Sequence, residues 1–538
     1  MTDKPENNPI SNDQIDPDHS KPLDVHRWSD HPEINKLVDE LWFQVIQPAL
    51  GGKSNNKGKS DPKRQLKVLL LDLYVAWLDD PSLSVGINFN NNAYNVNSRY
   101  NALHISRKIG DVSKLLIQAG YLDYARWSNP RQNQNLPSRT SRIRPSLQLQ
   151  DKFSELVLLP LDIEHSYLQE TVILTDYETD EEGNYTKTNG KRRRKFIEYN
   201  DTDFTKDVRK DLEAYNQLLN DTYIDIATLQ EPFVVRTKKD GTTQRIKIDQ
   251  SKKFVRRIFS RGDWNCNGRF YGGFWQQVGS EYRKHIFIND SPTVEVDYKG
   301  LHAAILSAEK GIVYGGDRYE LGSVVCPRLD KQQQRKAVKL IVLAAINAKD
   351  RSSAFGAFRQ AQPTGSVEKT LDNDELGLLL DTFLQQHPYL EDGICSDQGI
   401  RLMNVDSHIT NFIIKEFVRR QKPILSVHDS YIVGIRDVEL LEDCMRDASL
   451  QVVGADLAAE RELPSYKEVM ATRYPDRDYH LQVFDHYLTK PAKNNTTGYK
   501  TRYQQYLTYR EGSEYYAVIR KKAHSYQVRH TTIFTKTS

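Results

Sequence analysis

The sequence predicts an α+β fold. Apolar residues recur at helical spacing over 65–78, 106–119, 203–219 and 330–348, which calls for amphipathic helices. β-Prone runs that meet acids lie among and after them. Thr293 to Val296 runs into Asp297, and Pro423 to Leu425 and Tyr431 to Val433 flank Val427-His428-Asp429-Ser430. The latter pattern reads as a β-hairpin with a carboxylate at its tip. Burying an unpaired carboxylate costs roughly several kcal/mol, so a metal or another cation should meet it. Asp297, closing its own strand, is the candidate second acid of a metal site.

A chain of 538 residues exceeds one ordinary core, so roughly two to four domains are expected. Net charge is +3 with 27% charged and 10% aromatic residues, so the placement of basic surfaces matters more than the total. Cys266, Cys326, Cys395 and Cys444 lie far apart, which argues against a zinc motif or a disulfide framework and fits a reducing, cytoplasmic setting. No apolar run approaches the ~20 residues that span a bilayer, and the N-terminus lacks a basic-then-apolar signal segment. No membrane partner is expected.

Residues 1–22 are rich in Asp, Asn and Pro with almost no large apolar residue, and read as a disordered arm. Helical spacing at 33–48 and a polar, Gly- and Lys-rich linker from Gly51 to Lys63 follow, so 1–60 is taken as arm and linker. From Gln65 to Leu78, Leu66, Leu69, Leu70, Leu73 and Trp77 share one helical face. A short helix-turn-helix pattern comes next. Ser106 to Ala119 is then a helix stopped by Gly120, Tyr121 to Tyr124 begins a strand, a polar loop runs to Arg139, and Arg142-Ile143-Arg144 returns. That order over 61–155 resembles a winged helix-turn-helix domain. The resemblance implies a helix in a DNA major groove and a wing whose Arg131, Arg139, Arg142 and Arg144 grip phosphates. A small helical domain with a solvated basic loop fits the same residues.

Residues 156–250 are an intermediate region. The acidic run Asp176 to Glu182 and the basic run Lys191 to Lys195 flank a Gly- and Asn-containing turn, and a solvated charged hairpin is favoured over a nucleic-acid contact. Asp203 to Leu219 is a helix with Phe204, Val208, Leu212, Tyr215 and Leu219 on one stripe, which a thumb-like layer would use.

The chemistry concentrates in 251–470. Gly268-Arg269-Phe270-Tyr271-Gly272-Gly273 permits close backbone approach, with Arg269 and Arg283 able to hold phosphates and Gln276 between them. A glycine-bearing turn in a core is an equal reading. Asp297 ends a strand and could simply cap the helix that follows. On the helix Asp330 to Ala348, one turn separates Arg335 from Lys339, and Leu343 and Asn347 extend the row. Two adjacent cations with no acid on that face repel, which a triphosphate would relieve; two solvated cations are the plain alternative. Residues 471–538 are a Lys-, Arg- and Tyr-rich region suited to single strands or duplex backbone, or else a solvated β-rich appendage.

Taken in order over about 255–436, these features resemble the palm of the family A DNA polymerases and the single-subunit, phage-type RNA polymerases. Asp297-Tyr298 is similar to motif A, Arg335 with Lys339 to motif B, and His428-Asp429 to motif C. Ser430 is closer to the RNA polymerases. Gly268-Arg269 with Gln276 and Arg283 resembles the template and primer contact segment before motif A. Leu402 to Phe417 resembles the helix leading into motif C. The resemblance implies a right-hand palm with an antiparallel sheet and helical fingers. It implies a metal site at Asp297, Tyr298 and Asp429 for two Mg²⁺ ions, with Mn²⁺ able to substitute. Arg335 and Lys339 would bind the triphosphate and Lys339 would assist the leaving group. His302, Leu343 and Asn347 would line the nucleotide, and Arg269, Gln276, Arg283 and His428 the primer and template.

The departures bear on the sugar. His302 stands where the DNA polymerases usually carry a glutamate that excludes the ribose 2′-hydroxyl, and Asn347 where both families usually carry an aromatic residue. The expectation is therefore a template-directed nucleotidyltransferase, a DNA polymerase with primase or RNA polymerase activity also open. Its partners would be a DNA template, single-stranded or primed, and nucleoside triphosphates; its oligomeric state is open. The alternative is a non-catalytic DNA-binding replication or transcription initiator with a degenerate palm.

Overall fold

A computed structural model of the chain describes residues 15–16, 19–51, 61–90, 94–125, 140–156, 158, 162–165, 169–180, 182–188, 191–237, 243–461 and 495–511. It is a mixed α+β structure whose sheets are mainly antiparallel, as the sequence patterns require. The chain divides into two compact units, one of Met1–Glu170 with Thr501–Ser538 and one of Thr171–Lys500. The divisions between the two units fall after residues 170 and 500.

In the first unit, β1 (Ser20–Pro22) lies inside the stretch expected to be disordered. It is held because Asp72, fully buried, gathers Lys21 Nζ, Arg27 Nε (3.0 Å) and the Asp24 backbone N–H (3.0 Å) around its carboxylate. A buried charge must be paired, and the polar arm supplies the partners. Helix α1 (Pro32–Leu41) buries Ile34, Leu37, Val38 and Leu41 in the same core as α2 (Pro62–Asp79), which is why no boundary falls at 60. Residues 65 to 76 of α2 are buried all round rather than along one face, as befits the central element of this core.

Strand β2 (Ser84–Ile87) and turns, with no helix among the described residues, occupy the interval before α3 (Lys108–Gln118), where a helix-turn-helix pattern was expected. Gly120 (φ 81°) ends α3, and β3 (Leu122–Ala125) pairs antiparallel with β4 (Ser141–Pro145). Sheet order is β1-β2-β4-β3. Arg131 and Arg139 lie outside the described residues. Arg144 Nε donates to Asp123 (2.9 Å), and Arg142 bonds Thr140.

In the second unit, β5 (Val172–Tyr177) and β6 (Arg194–Phe196) form the expected charged hairpin, with Arg192 4.1 Å above the Tyr185 ring. Helix α4 (Asp203–Asn220) buries Val208, Leu212, Tyr215 and Leu219, and Tyr215 Oη donates to the Ile424 carbonyl (2.8 Å). This helix belongs to the unit's main core. Strand β7 (Ile224–Ile226) follows, then β8 (Arg256–Ser260) and β9 (Asp263–Tyr271), which complete a sheet of order β6-β5-β8-β9.

The central sheet combines β7, β10 (Ile286–Ile288) and β11 (Ser291–Tyr298) with the hairpin β12 (Ile424–Val427) and β13 (Ser430–Gly434), in the order β7-β10-β11-β13-β12. Helices fill the interval between β11 and β12, among them α5 (Leu301–Glu309), α6 (Lys331–Asn347), α7 (Asn373–Gln386) and α8 (Gly399–Arg419). After α9 (Val438–Val453), β14 (Ala459–Arg461) pairs with the end of β11. Helix α10 (Thr497–Glu511) starts with Tyr499 buried against Tyr223 and Phe287, its hydroxyl donating to Asp290 (2.8 Å), so the described start of this helix is packed.

Candidate active site around Asp297 and Asp429

Strand β11 alternates as its period of two demands. Val294, Val296 and Tyr298 are buried on one face, while Glu295 and Asp297 share the opposite, half-buried face with the buried Thr293. Its register with β13 sets Asp297 opposite Ser430 and Glu295 opposite Ile432. Asp429 immediately precedes Ser430 in a two-residue turn closed by the Val427–Ser430 pair, and its carbonyl accepts the Tyr298 N–H (3.3 Å). The turn requires a positive φ, which His428 supplies at 60°. Two acids far apart in sequence thus become neighbours at one end of the sheet.

The electrostatics follow from this placement. Burial, then Asp429, Glu295 and Glu460, push the Asp297 carboxyl up to about 7 against the pull of Lys339. Its Oδ1 is buried with no hydrogen-bond partner. Glu460 lies across from Asp297 on β14. Among the described residues no group of three or more His, Cys, Asp or Glu could hold a metal, so the candidate ligands are the two aspartates. The Tyr298 side chain is buried with its hydroxyl donating to the Met445 carbonyl, which leaves only its main chain for a metal.

Arg335, Lys339, Leu343 and Asn347 do form one exposed row on α6. The face is not free of acids, however: the loop before α6 brings Asp317 onto Arg335. Asn347 Nδ2 donates to the Leu343 carbonyl (2.7 Å), and its side chain lies so close to Gly399 that a Cβ there would meet Oδ1 at 1.7 Å.

The expected primer and template residues before β11 are engaged by the protein itself. Arg269 Nε donates to Asp406 (2.6 Å), and Arg269 Nη2 lies 3.1 Å from His302 Nε2. Arginine only donates, so His302 Nε2 accepts and the ring proton sits on Nδ1, which is buried without a partner. Gln276 donates to the carbonyls of Phe270 and Ser426 (3.0 and 2.9 Å) and accepts the Gly272 N–H (3.1 Å), stapling the glycine turn to β12. Arg283 makes a two-point bond to Glu295 (2.9 and 3.0 Å), and Ser430 Oγ donates to the same carboxylate (2.6 Å). His428 packs its ring against Tyr271, centroids 5.7 Å apart, and burial and the Arg269 charge lower its pKa.

Asp406, Glu295, Asp317 and Glu460 join the site beyond the residues expected from the sequence. Asp406 carried a signal: it lies among Leu402, Ile409, Ile413 and Phe417 on the buried stripe of α8, and an acid on an apolar face calls for a buried cation. Glu295 shares the face of Asp297 by strand alternation. Asp317 and Glu460 are joined to the site by loop path and strand pairing, which leave no local pattern. All four cysteines are free thiols, and among the described residues no helix is long and apolar enough to cross a membrane. A scan of protein-family models finds none that matches the chain, and a search of curated proteins finds no match.

Proposed function

We propose that the protein is a template-directed nucleotidyltransferase built on a right-hand palm, adding nucleoside triphosphates to a 3′-hydroxyl on a DNA template. The observation that carries this reading is the pairing of Asp297 with Ser430, which makes neighbours of Asp297 and Asp429 while one Asp297 oxygen stays buried and unpartnered. Such a pair calls for a divalent cation. Mg²⁺ suits it, because Mg²⁺ takes one or two protein carboxylates and leaves its other positions to water and substrate phosphates. Asp297, Asp429 and the main chain of Tyr298 would hold it. Two such ions, with Mn²⁺ able to substitute, would lower the pKa of the attacking hydroxyl and neutralise the leaving pyrophosphate.

The chain's own residues supply the rest. Arg335 and Lys339, one turn apart on an exposed face, bind the triphosphate, and Lys339 is the cation whose field reaches Asp297. His428 stands at the hairpin tip, where a primer end would lie. Arg269 and Arg283, drawn back onto Asp406 and Glu295, hold the floor of the site and meet nucleic acid only by exchanging those partners. The sheet order β2-β4-β3, with α3 leading directly into the β3–β4 hairpin, supports reading the first unit as a winged helix. Arg142 and Arg144 then stand on the strand that returns from the wing.

Extension of a primed template by the purified chain in Mg²⁺, with deoxy- and ribonucleotides compared side by side, tests this. Incorporation abolished by Asp429→Ala is expected, with weak sugar discrimination. A preference for deoxynucleotides above roughly a thousandfold, about 4 kcal/mol, contradicts the sugar expectation. DNA binding with no incorporation of either sugar, unchanged by Asp429→Ala, would instead favour the initiator.

A further inference from the structure

The loop between α5 and α6 carries a feature that nucleotide addition by itself does not require. Residues 310–330 contain no helix or strand, yet their middle is fixed. Arg318 is buried and donates to Ser307 Oγ (3.4 Å), while its carbonyl meets His387 Nε2 (2.9 Å). Tyr319 stacks on Phe383, centroids 6.3 Å apart with planes 15° apart, and its hydroxyl lies against the left-handed Gly300, where a Cβ would come within 2.5 Å. Asp317 is the residue immediately before this anchor. It follows Gly316, which adopts φ 117° with open space around it.

The Asp317 carboxylate is therefore held outward. One oxygen accepts the Tyr319 backbone N–H (3.0 Å) and the other pairs with Arg335 Nε. Both partners of that ion pair are partly exposed, 45% for Arg335 and 33% for Asp317, so an incoming anion can reach them. The Arg335 guanidinium, the Tyr319 N–H and the nearby Lys339 together outweigh burial and keep this carboxyl below its ordinary range, so it stays ionised at neutral pH. Without an acid, Arg335 and Lys339 would repel each other across one helical turn. Asp317 relieves that repulsion with a single negative charge.

We propose that Asp317 is an internal stand-in for substrate phosphate, occupying the Arg335–Lys339 anion site in the free protein and yielding it when a triphosphate binds. This rests on the reading of Arg335 and Lys339 as the triphosphate site. The displacement is an exchange of ion pairs: the Arg335–carboxylate contact breaks and an Arg335–phosphate contact forms, with no proton moved. Its consequence is selective, because a weakly charged anion gains too little from Arg335 to replace a tethered carboxylate, whereas a triphosphate also engages Lys339.

Calorimetric titration of the full chain with inorganic tripolyphosphate, at fixed low ionic strength and without divalent cation, tests the inference. Asp317→Asn should tighten binding about fivefold, the size of an exposed ion pair. Arg335→Ala should weaken binding and abolish the effect of Asp317→Asn, since the two residues then no longer compete. Unchanged or weaker binding by Asp317→Asn overturns the inference and makes Asp317 a residue that orients Arg335. Tripolyphosphate binding that follows the expected pattern in a chain that extends no primer keeps this inference and removes the polymerase reading. Primer extension with tripolyphosphate affinity unmoved by Asp317→Asn does the reverse.

Discussion

An aspartate pushed up to about 7 destabilises the metal-free chain whenever it is ionised. The folded-state value of Asp297 lies above the ordinary 3.8, so between the two the folded chain holds a proton that the unfolded chain has released. Stability from this group falls as pH rises through that window. Asp297→Asn should therefore stabilise the metal-free protein at about pH 8 by roughly 1–2 kcal/mol, the full conversion being reduced by partial exposure. Most of that gain should vanish at about pH 4, where the wild-type carboxyl is protonated in the fold. Urea titrations at the two pH values check this, and a destabilised Asn variant at the higher pH contradicts it. Glycines make a second residue-scale case. At Gly272, φ is 138° and a Cβ would lie 2.1 Å from the Phe254 carbonyl oxygen, whereas Gly316 has open space. Gly272→Ala should cost at least about 3 kcal/mol and Gly316→Ala about 1, measured by the same titrations.

Elements explain why some residues were legible in the sequence and others were not. The helices α2, α3, α4 and α6 and the β12–β13 hairpin follow from periodicity and turn chemistry, and they emerge close to where the apolar pattern sets them. The short polar strands β1 and β14 pair with β2 and β11 across long separations, and no local period encodes such pairing. The exposed row on α6 was legible from helical spacing, but Asp317 reaches it through a loop. The link from β9 through α8 to α5, made by Arg269, Asp406 and His302, was half legible, as an acid on an apolar stripe. It also predicts an asymmetry between ion pairs. Asp406 is 1% exposed and Arg269 13%, so Asp406→Ala strands a largely buried guanidinium and should cost about 3 kcal/mol. The bidentate Arg401–Glu309 pair is 43% and 37% exposed, and Arg401→Ala should cost under about 1 kcal/mol. Equal costs in denaturant titrations would refute this.

At the scale of the whole molecule, two cores imply two separable roles. The first unit has its own core, running from Ile34 to Ile163, and the second carries both aspartates and the α6 row. If the first unit grips duplex DNA through phosphates, its affinity should fall with added salt by about 0.9 logarithmic units per logarithmic unit for each phosphate contacted. Asp297→Asn should leave that binding intact; fluorescence anisotropy on a labelled duplex reads both. An affinity indifferent to salt would remove the winged-helix assignment and leave the catalytic one standing. The proposed metal-dependent site for nucleotide addition at Asp297 and Asp429 is tested by primer extension in Mg²⁺ with the wild-type chain, Asp297→Asn and Asp429→Ala. Incorporation by the wild-type chain that is lost on chelation and falls at least about a thousandfold in both variants is the predicted result. A wild-type chain that adds no nucleotide, or variants that add them as fast, would contradict it.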